Sequence, residues 1–383
     1  MKLGFITPEY PHEHNVQKVG GIGTSLKNLV LNMAKKGHRV TVFLYGMPEN
    51  KVYIDEDVTT VFIKLPKPSK FSFYLNRKRV ANVVNKYIND YGLDVVEAAE
   101  WSGITAFNNY ACKVVLRLHG SDTYFCHLEN RKLKKINYIL EKSALKSADA
   151  IISVSQFTAE LTKKLFSLNR KIEVIYNAID LQKYKNEDLV HVQNNTILYF
   201  GTLIRKKGAL DIPEIFNKVN QSNPSAKLIL IGNDSIDYLE NISTWELMQK
   251  KFTQSAFKNV DYKGSVPYDE MRKNIVEANV CIFPSYAEAF PVSWLEAMAC
   301  KKPVVASNIG WAKETIQDGV SGLLCSPKSH EKYASKIEEI LGDTRYAQSL
   351  GDAARDRIEK FFSAEKIVQD NIDFFEQLTS KEF

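Results

Sequence analysis

The same order of parts occurs twice in this chain of 383 residues. Near its start, Lys2 to Thr7 reads as a strand. A loop containing Gly20-Gly21-Ile22-Gly23 follows, then a helix pattern carried by Leu26, Leu29, Val30, Met33 and Ala34. Gly37 is a helix stop, and His38 to Tyr45 is again a strand. From Thr196 the order restarts: the strand TILYF, a loop from Gly201 to Gly208, a helix over roughly Leu210 to Val219, and the strand KLILI from Lys227. A strand that reaches its next strand through a helix makes a parallel pair. Two such openings predict an α/β chain with two doubly wound, Rossmann-like halves, whose ligands bind at the carboxyl ends of the strands. The first glycine loop is not G-x-G-x-x-G, so a nicotinamide dehydrogenase is disfavoured. Its glycines serve either close approach of a ligand to the backbone or a tight turn.

Length fits two domains. The polar, irregular stretch Tyr184 to Asn195 is the expected boundary, giving domains over 1–185 and 186–364. Residues 365–383 hold an amphipathic segment, Ile367 to Leu378. A net charge of +6 is too mild to mark a nucleic-acid binder. Cys112, Cys126, Cys281, Cys300 and Cys325 form neither a C-x-x-C pair nor a metal-like cluster, which argues for a reducing compartment. The apolar run at the N-terminus is too short for a signal peptide, and Pro8 interrupts it. With no run long enough to span a bilayer, the expected location is the cytoplasm, with peripheral contact at the inner face of the membrane left open.

The chemistry concentrates in VCIFPSYAEAFPVSWLEAMA, residues 280–299. Val280 to Phe283 reads as a buried strand that stops at Pro284. The loop Ser285 to Phe290 carries Glu288. Pro291 suits the first turn of a helix that continues through Glu296. A strand, a loop and a helix start in that order set backbone N–H groups at a sheet edge, where they attract phosphate. Glu288 and Glu296 flank that position. A carboxylate there is unfavourable unless it binds something else, and sugar hydroxyls suit it. The loop Arg205-Lys206-Lys207-Gly208 offers cations at another strand end. His119 follows the strand Val114 to Leu118, again at a ligand-binding edge.

The segment Glu288-Ala-Phe-Pro-Val-Ser-Trp-Leu-Glu296 resembles the E-x7-E signature of the family 4 glycosyltransferases. The continuation EAMACKKPVVAS, the segment GWAKETIQDGVSGLL, the His119-Gly120 pair and the turn Asn177-Ala178-Ile179-Asp180 are similar to that family too. The resemblance implies the GT-B fold, with two Rossmann-like domains facing a cleft and a last helix packing back on the first domain. It implies a retaining transferase that needs no metal or other cofactor and uses a nucleotide diphosphate sugar, UDP being the commoner choice. By the same resemblance Glu288 contacts the donor sugar and Glu296 the ribose diol. Phe290, Pro291, Val292 and Lys207 hold the diphosphate, and Gly264, Ser265 and Val266 read the base. Gly21 lets the diphosphate close against the first domain, and His119 approaches the reacting carbon. The catalytic set is His119, Glu288 and Lys207. The family's Arg directly after the strand's glycine is Thr202 here, so Arg205 becomes the candidate for that phosphate.

The acceptor is expected on the first domain, with Glu9, Tyr10, His14, Trp101 and Asp122 as candidates. Its class is a glycan or a lipid-linked sugar for a surface polysaccharide or glycoconjugate. The segment Lys64 to Lys86 interleaves basic residues with Phe71, Phe73, Tyr74 and Leu75, and a second basic run spans Arg131 to Lys135. These read either as solvated helix faces or as a surface for an anionic membrane. Other readings of the whole chain are a sugar-nucleotide epimerase or hydrolase, and a non-catalytic sugar-nucleotide sensor, of the same fold.

Overall fold

In the computed structural model the chain forms two compact units, Met1–Ala178 with Ser363–Phe383, and Ile179–Phe362. Residues 1–15, 20–55, 58–67, 71–184 and 195–380 are described. Lys70 and residues 185–194, which hold most of the expected boundary, lie outside them. The first unit ends at Ala178, before that irregular stretch begins.

Eight strands build the first unit's sheet: β1 (Lys2–Thr7), β2 (Arg39–Tyr45), β3 (Lys51–Asp55), β4 (Val58–Ile63), β5 (Val95–Ala99), β6 (Lys113–Leu118), β7 (Ala150–Ser153) and β8 (Glu173–Val174). Their order is β3-β4-β2-β1-β5-β6-β7-β8, and every pairing is parallel except β3 with β4. The interior strands are apolar runs because helices cover both faces of the sheet. β3 is absent from the sequence reading. It is a short edge strand, bounded by Lys51 and Asp55, whose apolar Val52 and Ile54 are exposed, so no buried face marks it as a strand.

The second unit holds β9 (Thr196–Phe200), β10 (Lys227–Ile231), β11 (Val260–Tyr262), β12 (Val280–Phe283), β13 (Val304–Ser307) and β14 (Leu323–Cys325). Their order is β11-β10-β9-β12-β13-β14, all parallel. In each sheet the order reverses direction beside the unit's first strand, between β1 and β5 and between β9 and β12. Such a reversal leaves a crevice at the carboxyl ends of those two strands.

Local signals explain the helix ends. Ser155 caps Gln156–Phe166, its hydroxyl accepting from Thr158 N. The last helix, Ala364–Ser380, buries Ile367, Val368, Ile372 and Phe375 in one core with Leu29, Val30 and Met33 of the first helix. Beneath it Arg117 forms a forked pair with Glu97, at 2.7 and 2.8 Å, and also reaches Asn371. No helix among the described residues is long and apolar enough to cross a membrane.

Candidate functional site

In the second unit two loops meet at the crevice between β9 and β12. After β9 comes a short turn, Arg205–Lys207, closed by Gly208. After β12 comes the loop from Pro284 to Phe290. The Lys206 carbonyl accepts the N–H groups of Tyr286 (2.8 Å) and Ala287 (3.1 Å), which stitches the two loops together. Gly208 has φ +70° and its backbone lies against Pro284: a Cβ there would sit 1.9 Å from the Pro284 carbonyl oxygen. Only glycine satisfies both conditions.

This stitching brings three of the sequence-derived residues together. Lys207 Nζ lies 3.1 Å from Glu288 Oε1. Its charge also acts on Glu296, whose carboxyl is lifted to about 7 by burial, against the pull of Tyr184 and Lys207. The Tyr184 hydroxyl donates to Glu296 Oε1 at 3.0 Å. One cation thus faces two carboxylates, one on each side of a helix start. That helix is Val292–Ala299, with Pro291 at its cap rather than inside its first turn, and no side chain caps it. Phe290 is buried against Phe362. The arrangement offers a cation and a helix start to a phosphate, and two carboxylates to hydroxyl groups.

Arg205 faces elsewhere. Its Nε and one Nη donate to the two carboxylate oxygens of Asp237, each at 2.9 Å, and the side chain of Asp237 is fully buried. Asp237 also accepts from the backbone of Leu239 and Glu240. Asp237 thus holds the guanidinium along one edge, while the side chain stays about a third exposed. Gly264, Ser265 and Val266 follow β11. The Gly264 carbonyl accepts from Gly232 N at 2.7 Å, which sets this turn beside the end of β10.

In the first unit a cavity of about 40 Å³ opens near the ends of β1, β5 and β6, with Thr7, Ile22, Ser25, His119 and Asn177 in its wall. Burial, helped by the Arg117 charge, pushes the His119 imidazole down to about 3, so the ring is neutral at physiological pH. The His119 backbone N–H lies 3.0 and 2.9 Å from the two carboxylate oxygens of Glu100, which is buried and raised to about 8. A second buried carboxylate, Glu141, accepts from the N–H groups of Asp122 (2.9 Å) and Thr123 (3.2 Å). Two buried carboxyl groups therefore fix the backbone of the His119-Gly-Ser-Asp loop. Gly21 opens the first helix with no atom within 4 Å of where a Cβ would stand, so packing does not demand glycine there.

The acceptor candidates divide. Glu9 accepts from Gly20 N at 3.1 Å and so braces the glycine loop. Trp101 begins a short turn, and its indole N–H is buried without an acceptor among the described residues. His14 is exposed, paired with Glu13 at 3.0 Å and close to the Tyr53 ring. Tyr10 is a core residue, 3% exposed, its phenol raised by burial; it is not available to an acceptor, contrary to the expectation. Asp122 accepts from Asn137 at 2.8 Å and stays a third exposed. The sequence reading missed Glu100, Glu141, Tyr184 and Asp237. Only Glu100 carried a signal, a carboxylate one residue beyond the end of a buried strand.

Known proteins resemble this chain over most of its length. The family described as Glycosyltransferase Family 4 matches residues 19–183, and that described as Glycosyl transferases group 1 matches residues 181–357. N-acetyl-alpha-D-glucosaminyl L-malate synthase of Bacillus anthracis is 25% identical over 375 residues, covering 91% of this chain and 92% of its own. Among solved structures, sucrose-phosphate synthase from Thermosynechococcus elongatus superposes with a TM-score of 0.80 at 20% identity, covering 98% of each chain. Anabaena HepE in complex with UDP-glucose gives 0.77 at 19% identity, covering 98% of this chain and 100% of that one. The two family matches together run from residue 19 to residue 357, and the protein belongs to the family 4 glycosyltransferases, with the GT-B fold.

Proposed function

We propose that this protein is a retaining, metal-independent glycosyltransferase of the cytoplasm. It moves a sugar from a nucleotide diphosphate sugar, with UDP favoured, to a glycan or lipid-linked acceptor in surface polysaccharide or glycoconjugate synthesis. The observation that carries the reading is the convergence of Lys207, Glu288 and Glu296 at the crevice between β9 and β12. HepE, of the same fold, is known in complex with UDP-glucose, which supports UDP as the first nucleotide to try.

In this reading Glu288 accepts hydroxyls of the donor sugar and Glu296 the ribose diol. Lys207 and the helix start at Val292 hold the diphosphate. Negative charge builds on that leaving group as the glycosidic bond breaks, so a fixed cation and helix dipole stabilise the transition state more than the ground state. They supply the neutralisation that a divalent ion provides elsewhere. His119, neutral and held by its backbone, acts near the reacting carbon, and Gly264 to Val266 border the base. Attack from the face that the diphosphate leaves gives retention.

A thermal-shift panel of UDP, GDP, ADP and their sugar conjugates, with and without EDTA, tests the donor site. A ligand at a hundred times its Kd raises stability by about 2.7 kcal/mol. The expected result is selective stabilisation by one nucleotide, indifferent to EDTA and lost in Lys207→Ala and Glu296→Ala. No stabilisation by any nucleotide overturns the reading. Product anomers followed by NMR test retention.

A further inference from the structure

Two segments of the first unit share an unusual charge pattern. The chain has 45 acidic residues in 383, yet none lies between Val58 and Asn89, and none between Asn130 and Leu140. The fold draws these two segments to one place. Arg77 of the helix Ser72–Tyr91 is buried, which corrects its reading as part of a solvated basic face. Its guanidinium donates to the Gly103 carbonyl at 2.7 Å and also reaches the carbonyls of Phe73 and Ser102. On its other side the same turn rests against the helix Lys135–Ser147: a Cβ on Gly103 would lie 2.5 Å from the Leu140 carbonyl. The turn Trp101–Gly103 thus pins the acid-free start of one helix beside the acid-free start of the other.

What these two helix starts expose is apolar. Phe71 is 68% exposed and Ile139 50%, and Phe73, Tyr74, Leu75 and Ile136 each exceed a third. Lys64, Lys67, Lys78, Lys132, Lys134 and Lys135 are exposed on the same two segments. Apolar groups of this size, exposed together within a cationic field, carry a cost in water that a solvated helix face avoids.

We propose that this face docks on an anionic lipid bilayer, with the apolar side chains at headgroup depth and the lysines on the lipid phosphates. The combination meets the need of a peripheral protein for two weak signals, apolar insertion and charge. A nucleic acid fits less well, because Leu75, Ile136 and Ile139 have no ring face on which a base can stack. The proposal rests on charge and exposure alone, and goes beyond the transferase reading.

Co-sedimentation of the full chain with vesicles tests it. Vesicles of phosphatidylglycerol and phosphatidylcholine in equal parts should bind the protein at low salt, and phosphatidylcholine alone should not. Each lysine near an anionic surface strengthens binding roughly fivefold, so changing Lys132, Lys134 and Lys135 to Gln together should weaken it on the order of a hundredfold. The double variant Phe73→Ser, Tyr74→Ser tests the apolar part separately and should bind at least about tenfold more weakly. All these side chains are exposed, so both variants should unfold at the wild-type temperature. Absence of binding at low salt, equal binding to neutral vesicles, unchanged binding by either variant, or a preference for an oligonucleotide overturns the proposal. No sugar nucleotide is needed, so this result and the donor-site result are independent.

Discussion

Glu296 shows what burial does to one functional group. With its carboxyl lifted to about 7, it is partly protonated at neutral pH, and the neutral acid accepts the hydroxyls of a diol more weakly than the carboxylate, whose hydrogen bonds are charge-assisted. Affinity for UDP-glucose, whose phosphates do not titrate near neutrality, should therefore rise roughly tenfold between pH about 6 and about 8, following the ionised fraction. Calorimetric titration at the two pH values checks this, and Glu296→Gln should flatten the dependence. The folding term has the opposite sign: the fold favours the neutral acid, so its contribution is fully present below pH about 4 and fades as pH rises through 7. His119 differs. Its imidazole is pushed down to about 3, so the pH profile of turnover should lack the usual imidazole limb near 6.5. Glu100→Ala would leave the His119 backbone N–H without its buried acceptor. A loss of about 1–3 kcal/mol in thermal unfolding is expected, with a fall in kcat from a loosened His119 loop. His119 follows an apolar run directly, and Glu288 and Lys207 lie in the loops after β12 and β9, so those runs locate them at the sheet edge; Glu296, inside the helix Val292–Ala299, was legible only through its spacing from Glu288 in the E-x7-E resemblance. Glu141 was not legible. A lone carboxylate inside a helix reads as solvated, and only the packing of the His119 loop against that helix makes it a buried acceptor.

Strands were the most readable elements, since burial on both faces leaves nearly uninterrupted apolar runs such as TILYF and KLILI. β3 escaped because an exposed edge imposes no such pattern. The join between the Arg205–Lys207 turn and the loop after β12 was equally unreadable, since backbone hydrogen bonds between distant loops leave no trace in side-chain type. Gly208 is the one residue on which that join can be tested. Gly208→Ala faces both the positive φ and the 1.9 Å approach to Pro284, so a loss of about 3 kcal/mol or more is expected in denaturant unfolding. Nucleotide affinity should fall with it, because the same turn carries Lys207.

The whole molecule is divided unequally along its sequence. The first unit is completed only by the last helix, whose Ile367, Val368, Ile372 and Phe375 fill its core. Phe375→Ala should cost about 3–5 kcal/mol. In calorimetry the loss should fall on the transition of the first unit and spare that of the second. The chain crosses between the units twice, after Ala178 and after Phe362, and Ile179 N donates to the Phe362 carbonyl at 2.9 Å where the crossings meet. Recombination between relatives has to respect both crossings. A hybrid built with a single junction near residue 179 gives the first unit a terminal helix from the wrong parent, mismatched to its core and to Arg117. A hybrid with junctions at both crossings exchanges the second unit as a sealed cassette and returns the native helix to its place.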